Sequence, residues 1–177
     1  RFTASAFRYR LRDLISLGTA NGSGLLQYQN LSQANARGLE LEGEHWFESG
    51  ARLKASLMVQ HARDDATGAW LDNSPRQVAK VHLSLPAGLG ERSTIGLEGQ
   101  FVGERATIRG GRVGGFGVAN VTLVATPWAR GPEFSASVYN VFDRRYGDPA
   151  APEQFDSLGR TLNQIPHDDG RTFRLLA

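Results

Sequence analysis

The chain has no cysteine among its 177 residues, which removes disulfide scaffolds, thiolate zinc sites and cysteine nucleophiles together. It also lacks long apolar runs. Nothing approaches the ~18 uninterrupted apolar residues of a membrane helix, so helical spanning is excluded, whereas spanning by strands leaves alternation and not a run as its trace. Charge of one sign is lacking too: Lys+Arg 20 against Asp+Glu 18 leaves a formal +2. The basic residues are scattered along the chain, so nucleic-acid binding through a dense basic patch is not expected. The first residue is Arg1, with no initiator Met and no charged-then-apolar leader, the pattern of a mature product or a fragment.

What is present is a two-residue period. Phe7, Tyr9 and Leu11 alternate with Arg8, Arg10 and Arg12, and Leu39 and Leu41 with Glu40, Glu42 and Glu44. Leu53, Ala55, Leu57 and Val59 alternate with Arg52, Lys54 and Ser56, with Met58 the exception. The same period recurs at Ala79–Leu85, Ile95–Phe101, Val121–Ala125, Phe134–Val138 and Phe173–Leu175. Helical spacing explains none of it, so the chain reads as about eight strands with essentially no helix. The connections alternate in length. Tight Gly- or Pro-bearing turns fall at residues 48–50, 87–91 and 128–132, and longer polar segments at 13–24, 62–75, 106–116 and 144–169. Short turns on one side and long loops on the other suit an outer-membrane barrel.

Alternation alone does not say whether the apolar face meets a protein core or lipid. The polar face carries Arg8, Arg10 and Arg12, then Glu40, Glu42 and Glu44, then Arg52 and Lys54. A close turn at Ser49 sets Glu44 opposite Lys54 or Arg52, and the turn near Gly88 brings Lys80 towards Glu98. Such cross-strand pairs are each worth about 0.2–1 kcal/mol and suit a charge ladder on a lumen wall. Several strands look longer than the ~5–6 residues of soluble sheets and fit the ~9–11 of a bilayer crossing. Tyr9, Trp46, Phe47, Phe101, Trp128 and Phe142 fall near strand ends, where interfacial aromatic girdles belong. The expected fold is therefore an all-β, antiparallel transmembrane β-barrel portion, a single partial domain over residues 1–177.

The stretch Tyr139-Asn140-Val141-Phe142-Asp143-Arg144-Arg145-Tyr146-Gly147-Asp148-Pro149 resembles the penultimate-strand signature of TonB-dependent outer-membrane receptors. Gly170-Arg171-Thr172-Phe173 resembles the start of their last strand, and Asn30 with Ala36-Arg37-Gly38-Leu39-Glu40-Leu41-Glu42 an earlier one. Ser74-Pro75-Arg76 matches a re-entry after an extracellular loop, and Asp13-Leu14-Ile15 an earlier strand end. The resemblance runs in order over essentially the whole chain. It implies about eight C-terminal strands of a 22-stranded barrel, trimmed at both ends, with the plug and its coupling box outside the chain. It further implies an outer-membrane location among lipid and lipopolysaccharide, a periplasmic TonB energy-coupling partner acting through the plug, and an iron-siderophore or similar scarce nutrient as cargo. An autonomous eight-stranded anchor or adhesin, and a soluble β-sandwich carbohydrate-binding module, stay open as alternatives.

No enzymatic chemistry, metal or cofactor is expected. His45, His61, His82 and His167 show no ligand spacing. No Gly-x-Ser-x-Gly elbow occurs, and the glycine-rich run 110–117 lacks the strand–turn–helix setting of a phosphate-binding loop. The sequons at Asn21, Asn30 and Asn120 are uninformative in a bacterial protein. Ligand contacts are expected from the loops: Trp70, beside Asp64, Asp65 and Asp72, and the positive Arg105, Arg109 and Arg112, which suit anionic chelates or lipopolysaccharide phosphates. Asn140, Phe142, Asp143 and Tyr146 are expected to anchor a strand–loop corner.

Overall fold

The computed structural model describes residues 1–19, 26–89, 92–128, 131–167 and 169–177. The Asn21 sequon and parts of the turns at 87–91 and 128–132 lie outside the described residues. The strands are β1 (Phe2–Thr19), β2 (Leu26–Trp46), β3 (Arg52–Asp64), β4 (Gln77–Pro86), β5 (Arg92–Val102), β6 (Arg105–Ala106), β7 (Arg112–Val113), β8 (Phe116–Thr126), β9 (Phe134–Tyr139), β10 (Tyr146–Pro149), β11 (Gln164–His167) and β12 (Thr172–Leu176). Eight form one antiparallel sheet in the order β1-β2-β3-β4-β5-β8-β9-β12, while β6-β7 and β10-β11 are separate two-stranded ribbons. The sheet is a meander of neighbouring hairpins and is not closed: β1 and β12 are not paired with each other.

The tight turns follow from their residues. After Trp46 the Phe47 N–H donates to the Ala51 carbonyl at 2.9 Å, and Gly50 takes φ +80° to close the reversal. The segment at 13–24, expected as a loop, is strand as far as Thr19, the last of its described residues: β1 and β2 stay in register from Phe2↔Gly43 to Thr19↔Leu26. Strands that outrun the sheet beside them project beyond it.

Residues paired across strands share a face, so the register sorts the whole sheet. One face carries Leu39, Leu53, Leu57, Val59, Val81, Leu83, Ile95, Leu97, Phe101, Val121, Leu123, Val138, Phe173 and Leu175. Its side chains are uncovered: Leu39 is 58% exposed and Leu175 80%. Among the described residues the buried apolar side chains are Ala34, Ala51, Ala62, Val102, Val113, Phe116 and Ala150, all in turns, loops or the loop-side parts of strands. Among the described residues no apolar core lies beneath the middle of the sheet. A soluble sandwich requires a second layer there, and an uncovered apolar face of this extent requires lipid.

The register also corrects the sequence in three places. Arg8 pairs with Arg37 and Arg10 with Asn35, on the face of Leu39 and Leu57, while Phe7, Tyr9 and Leu11 share the face of Glu40 and Glu42. Arg8 and Arg10 thus leave the charge ladder; the polarity of β1 switches phase at Phe7, after Phe2, Ala4 and Ala6 on the apolar side. Lys80 pairs with Gln100, and Glu98 with His82 and Asn120, one step from the expected facing. Of the expected girdle, Tyr9 and Trp46 stand on the polar face, Trp46 opposite Arg52.

Candidate functional site

The polar face holds a shallow cavity of about 450 Å³ lined in part by Glu42, Lys54, Lys80, His82, Glu98 and Asn120. Each comes from the polar phase of a neighbouring strand, so the row exists because the register aligns those phases. Glu44 lies directly opposite Lys54 and binds Arg52, whose Nη2 is 2.6 Å from Glu44 Oε1. The Arg52 guanidinium also lies 4.8 Å from the centre of the Trp46 ring, which holds that pair beside the tight turn. Glu98 accepts from Asn120 Nδ2 at 3.3 Å. Glu40 faces Met58 across β2 and β3, which leaves an apolar break in the row.

At the other end the long connections fold onto one another. Arg105 is 6% exposed: its Nη1 meets Asp148 Oδ1 at 2.5 Å and its Nη2 donates to the Gly147 carbonyl at 2.7 Å. Phe116 stacks on Tyr146 at 4.1 Å and Tyr146 on His167 at 4.7 Å, while His167 Nε2 sits 2.6 Å from Asp148 Oδ2. Thr107 Oγ1 donates to Asn163 at 2.9 Å. Three segments far apart in sequence therefore make one crown. Arg105, expected to face a ligand, is instead its internal staple, because Asp148 and Gly147 take its two terminal nitrogens, while its buried Nε has no partner among the described residues. Arg109 donates to the Pro152 carbonyl at 2.8 Å and Arg112 pairs with Glu104 at 2.6 Å, and both remain exposed. Trp70 is half-buried, with the guanidiniums of Arg76 and Arg63 3.6 Å and 4.6 Å from its ring centre and the His61 ring at 4.4 Å. No local signal announced the Asn163, Gly147 and His167 contributions, since each depends on how a loop folds back.

Burial raises the Asp148 carboxyl, but the hydrogen bonds from His167 and Arg105 and the Arg105 charge outweigh it, leaving its pKa below the usual carboxylate value. A depressed carboxylate pKa contributes stability that is present above the unfolded pKa and lost as pH falls through the folded one. The β10–β11 ribbon is therefore expected to stay docked at neutral pH and to loosen only at pH values below the ordinary carboxylate range. Proteolysis or amide exchange of residues 146–167 across an acid series checks this. Loosening that began near neutrality would contradict it.

The corner after β9 is built by Asn140 and Asp143, both with positive φ, +50° and +52°. Asn140 is buried, and its side chain bonds the Arg144 N–H and carbonyl and the Gly170 carbonyl. Asp143 Oδ1 accepts from Arg171 N at 2.9 Å. Phe142 projects outward beside Phe101, and Tyr146 continues into the crown. Among the described residues no cluster of three His, Asp or Glu side chains is set to hold a metal ion.

A single antiparallel sheet, apolar on one face and charged and polar on the other, with tight turns at one end and a folded crown at the other, defines a segment of transmembrane β-barrel wall. The chain belongs to the family described as "TonB dependent receptor-like, beta-barrel", whose profile matches residues 1–141, and it is an outer-membrane segment. It is similar in fold to a copper transporter, OprC, with a TM-score of 0.76 and 23% identity over 97% of this chain and 27% of that one. It is similar likewise to the ferric yersiniabactin uptake receptor FyuA of Yersinia pestis, with TM-score 0.73 and 21% identity over 97% and 26%. For the ferric-catecholate import receptor Fiu of K12 E. coli the TM-score is 0.70 and the identity 19%, over 98% and 24%. The chain thus spans about a quarter of the length of each of these structures. No curated protein matches the sequence.

Proposed function

We propose that the chain forms part of the barrel wall of a receptor that imports a metal chelate, such as an iron-siderophore, or a similar scarce nutrient, with energy delivered by TonB through a plug. The observation that carries this is the sorting of the sheet into an uncovered apolar face and a polar face that carries charged side chains on successive strands, with Glu44 paired to Arg52. Lipid against the first and a hydrated lumen against the second satisfy both. The ladder Glu40, Glu42, Glu44, Arg52, Lys54, Lys80 and Glu98 then lines the transport path, and the exposed loop residues Arg109 and Arg112 offer guanidiniums to an anionic chelate at the mouth. The wall performs no covalent chemistry; it guides, and the loops and plug capture. Membership of a receptor family and the metal-related names of its structural neighbours support the reading. An autonomous small barrel is not favoured by edges left apart, nor a carbohydrate-binding sandwich by a sheet without a second layer.

Uptake by the source cells tests it. Deleting the gene for the full receptor is expected to abolish energy-dependent accumulation of at least one labelled ferric or cupric chelate under metal limitation, with wild-type uptake collapsing when a protonophore is added. Unchanged accumulation of every chelate in a broad panel would overturn the proposal.

A further inference from the structure

The arginines displaced from the ladder stand together elsewhere. Arg8, Arg37 and His61 occupy one register row across β1, β2 and β3, and Arg10, Asn35 and Arg63 the next row outward. The row immediately below is Ala6, Leu39 and Val59, the last of the apolar band on these strands, and Gln77 ends that row on β4. Alternate residues along a strand lie ~7 Å apart, so the basic rows begin one step above the apolar band and on its own outward side. They surround a cavity of about 230 Å³ lined by Arg8, Asn35, Arg37, His61, Arg63 and Asp65 among others.

The patch is out of balance as it stands. Like charges directly opposite on neighbouring strands are destabilising, and Arg8 faces Arg37. Among the described residues no carboxylate forms an ion pair with Arg8, Arg10, Arg37 or Arg63. The nearby Asp65 accepts instead from Asn35, whose Oδ1 in turn accepts from Arg10 Nε at 3.4 Å. Exposed, forked guanidiniums of this kind bind phosphate in bidentate fashion. Their height, just above a lipid-facing band at the loop end of the wall, is that of the headgroups of the outer leaflet. The lumen lies on the opposite face, so a cargo passing through the barrel does not meet them.

We propose that this outward patch, centred on Arg8, Arg37 and Arg63, binds the phosphates of the phosphorylated glycolipid that forms the outer leaflet, and so fixes the barrel in its lipid surround. The inference rests on the outer-membrane reading above. The test uses the full receptor, purified from outer membranes, with native mass spectrometry counting retained glycolipid and vesicles carrying phosphorylated or enzymatically dephosphorylated lipopolysaccharide as probes. Wild type is expected to retain glycolipid and to prefer the phosphorylated vesicles at least tenfold. The variant R8Q/R37Q/R63Q is expected to lose both while remaining a folded barrel by heat-modifiable gel mobility, and R109Q/R112Q on the crown to keep both. Equal retention by the triple variant and wild type overturns the proposal, as does equal binding to dephosphorylated vesicles. Tight binding of inorganic phosphate that displaces no lipid also overturns it, by assigning the patch to a soluble anion. If the receptor does not fractionate with the outer membrane, the underlying reading fails instead, a result the binding arms cannot produce.

Discussion

Leu97→Arg is expected to cost the barrel about 2–4 kcal/mol, and Met58→Arg less than about 1 kcal/mol, although both place a guanidinium on a central stretch of strand. Leu97 sits in the middle of β5 between Leu83 and Val121 on the apolar face. There the new charge has only hydrocarbon around it, and the length of the side chain relieves that only by snorkelling to an interface. Met58 stands on the other face, opposite Glu40, so its replacement repairs the apolar break in the charge ladder and gains a cross-strand partner. The measurement is the folded fraction of the full receptor in lipid vesicles across a urea series, read by gel mobility with and without heating. Similar losses for the two variants would mean that the faces are assigned the wrong way round.

The contrast between these two positions shows what the alternation carried and what it did not. On β3, β4, β5 and β8 the apolar phase is unbroken enough that Leu57, Val81, Leu97 and Val121 announce one face without any structure, and even Met58 stood out as the exception. The tight turn at Gly50 was legible for a similar reason, a local backbone requirement met by local residues, and the corner at Asn140 through the family resemblance of its stretch. Strand β1 misled because it leaves the apolar band partway along its length. Once outside lipid, a side chain no longer has to be apolar on the outer face, so Phe7 and Tyr9 and their neighbouring arginines exchanged sides without breaking the period. The basic patch was invisible for a further reason. Arg8, Arg37 and Arg63 are scattered in sequence, and only the register of three strands brings them together. Charge counted along a chain measures nothing about charge gathered across a sheet. The crown is the extreme case: Arg105 comes from the connection between β5 and β8, and Gly147, Asn163 and His167 from distant points of the connection between β9 and β12, and neither period nor spacing relates them.

The second large effect falls at the corner after β9. Asn140→Ala is expected to destabilise the C-terminal end of the sheet by about 2–4 kcal/mol, from two sources. The buried amide satisfies the Arg144 N–H at 2.9 Å and its carbonyl at 2.9 Å, and reaches the Gly170 carbonyl at 3.2 Å. Alanine leaves those backbone groups without their side-chain partner. Its Cβ must also adopt φ +50°, a conformation that asparagine tolerates and alanine resists by about 1–2 kcal/mol. Asn140→Gly separates the two terms, because glycine accepts the backbone angle and loses only the side-chain bonds; it is expected to recover about 1 kcal/mol relative to alanine. The Gly170 bond and the Asp143–Arg171 contact together hold the start of β12 against the end of β9. The loss should therefore be local first: amides of residues 172–176 exchange faster in both variants while those of β4 and β5 keep their protection. Exchange unchanged at β12 in the alanine variant would show that the corner does not hold the last strand, and that Asn140 serves some other need.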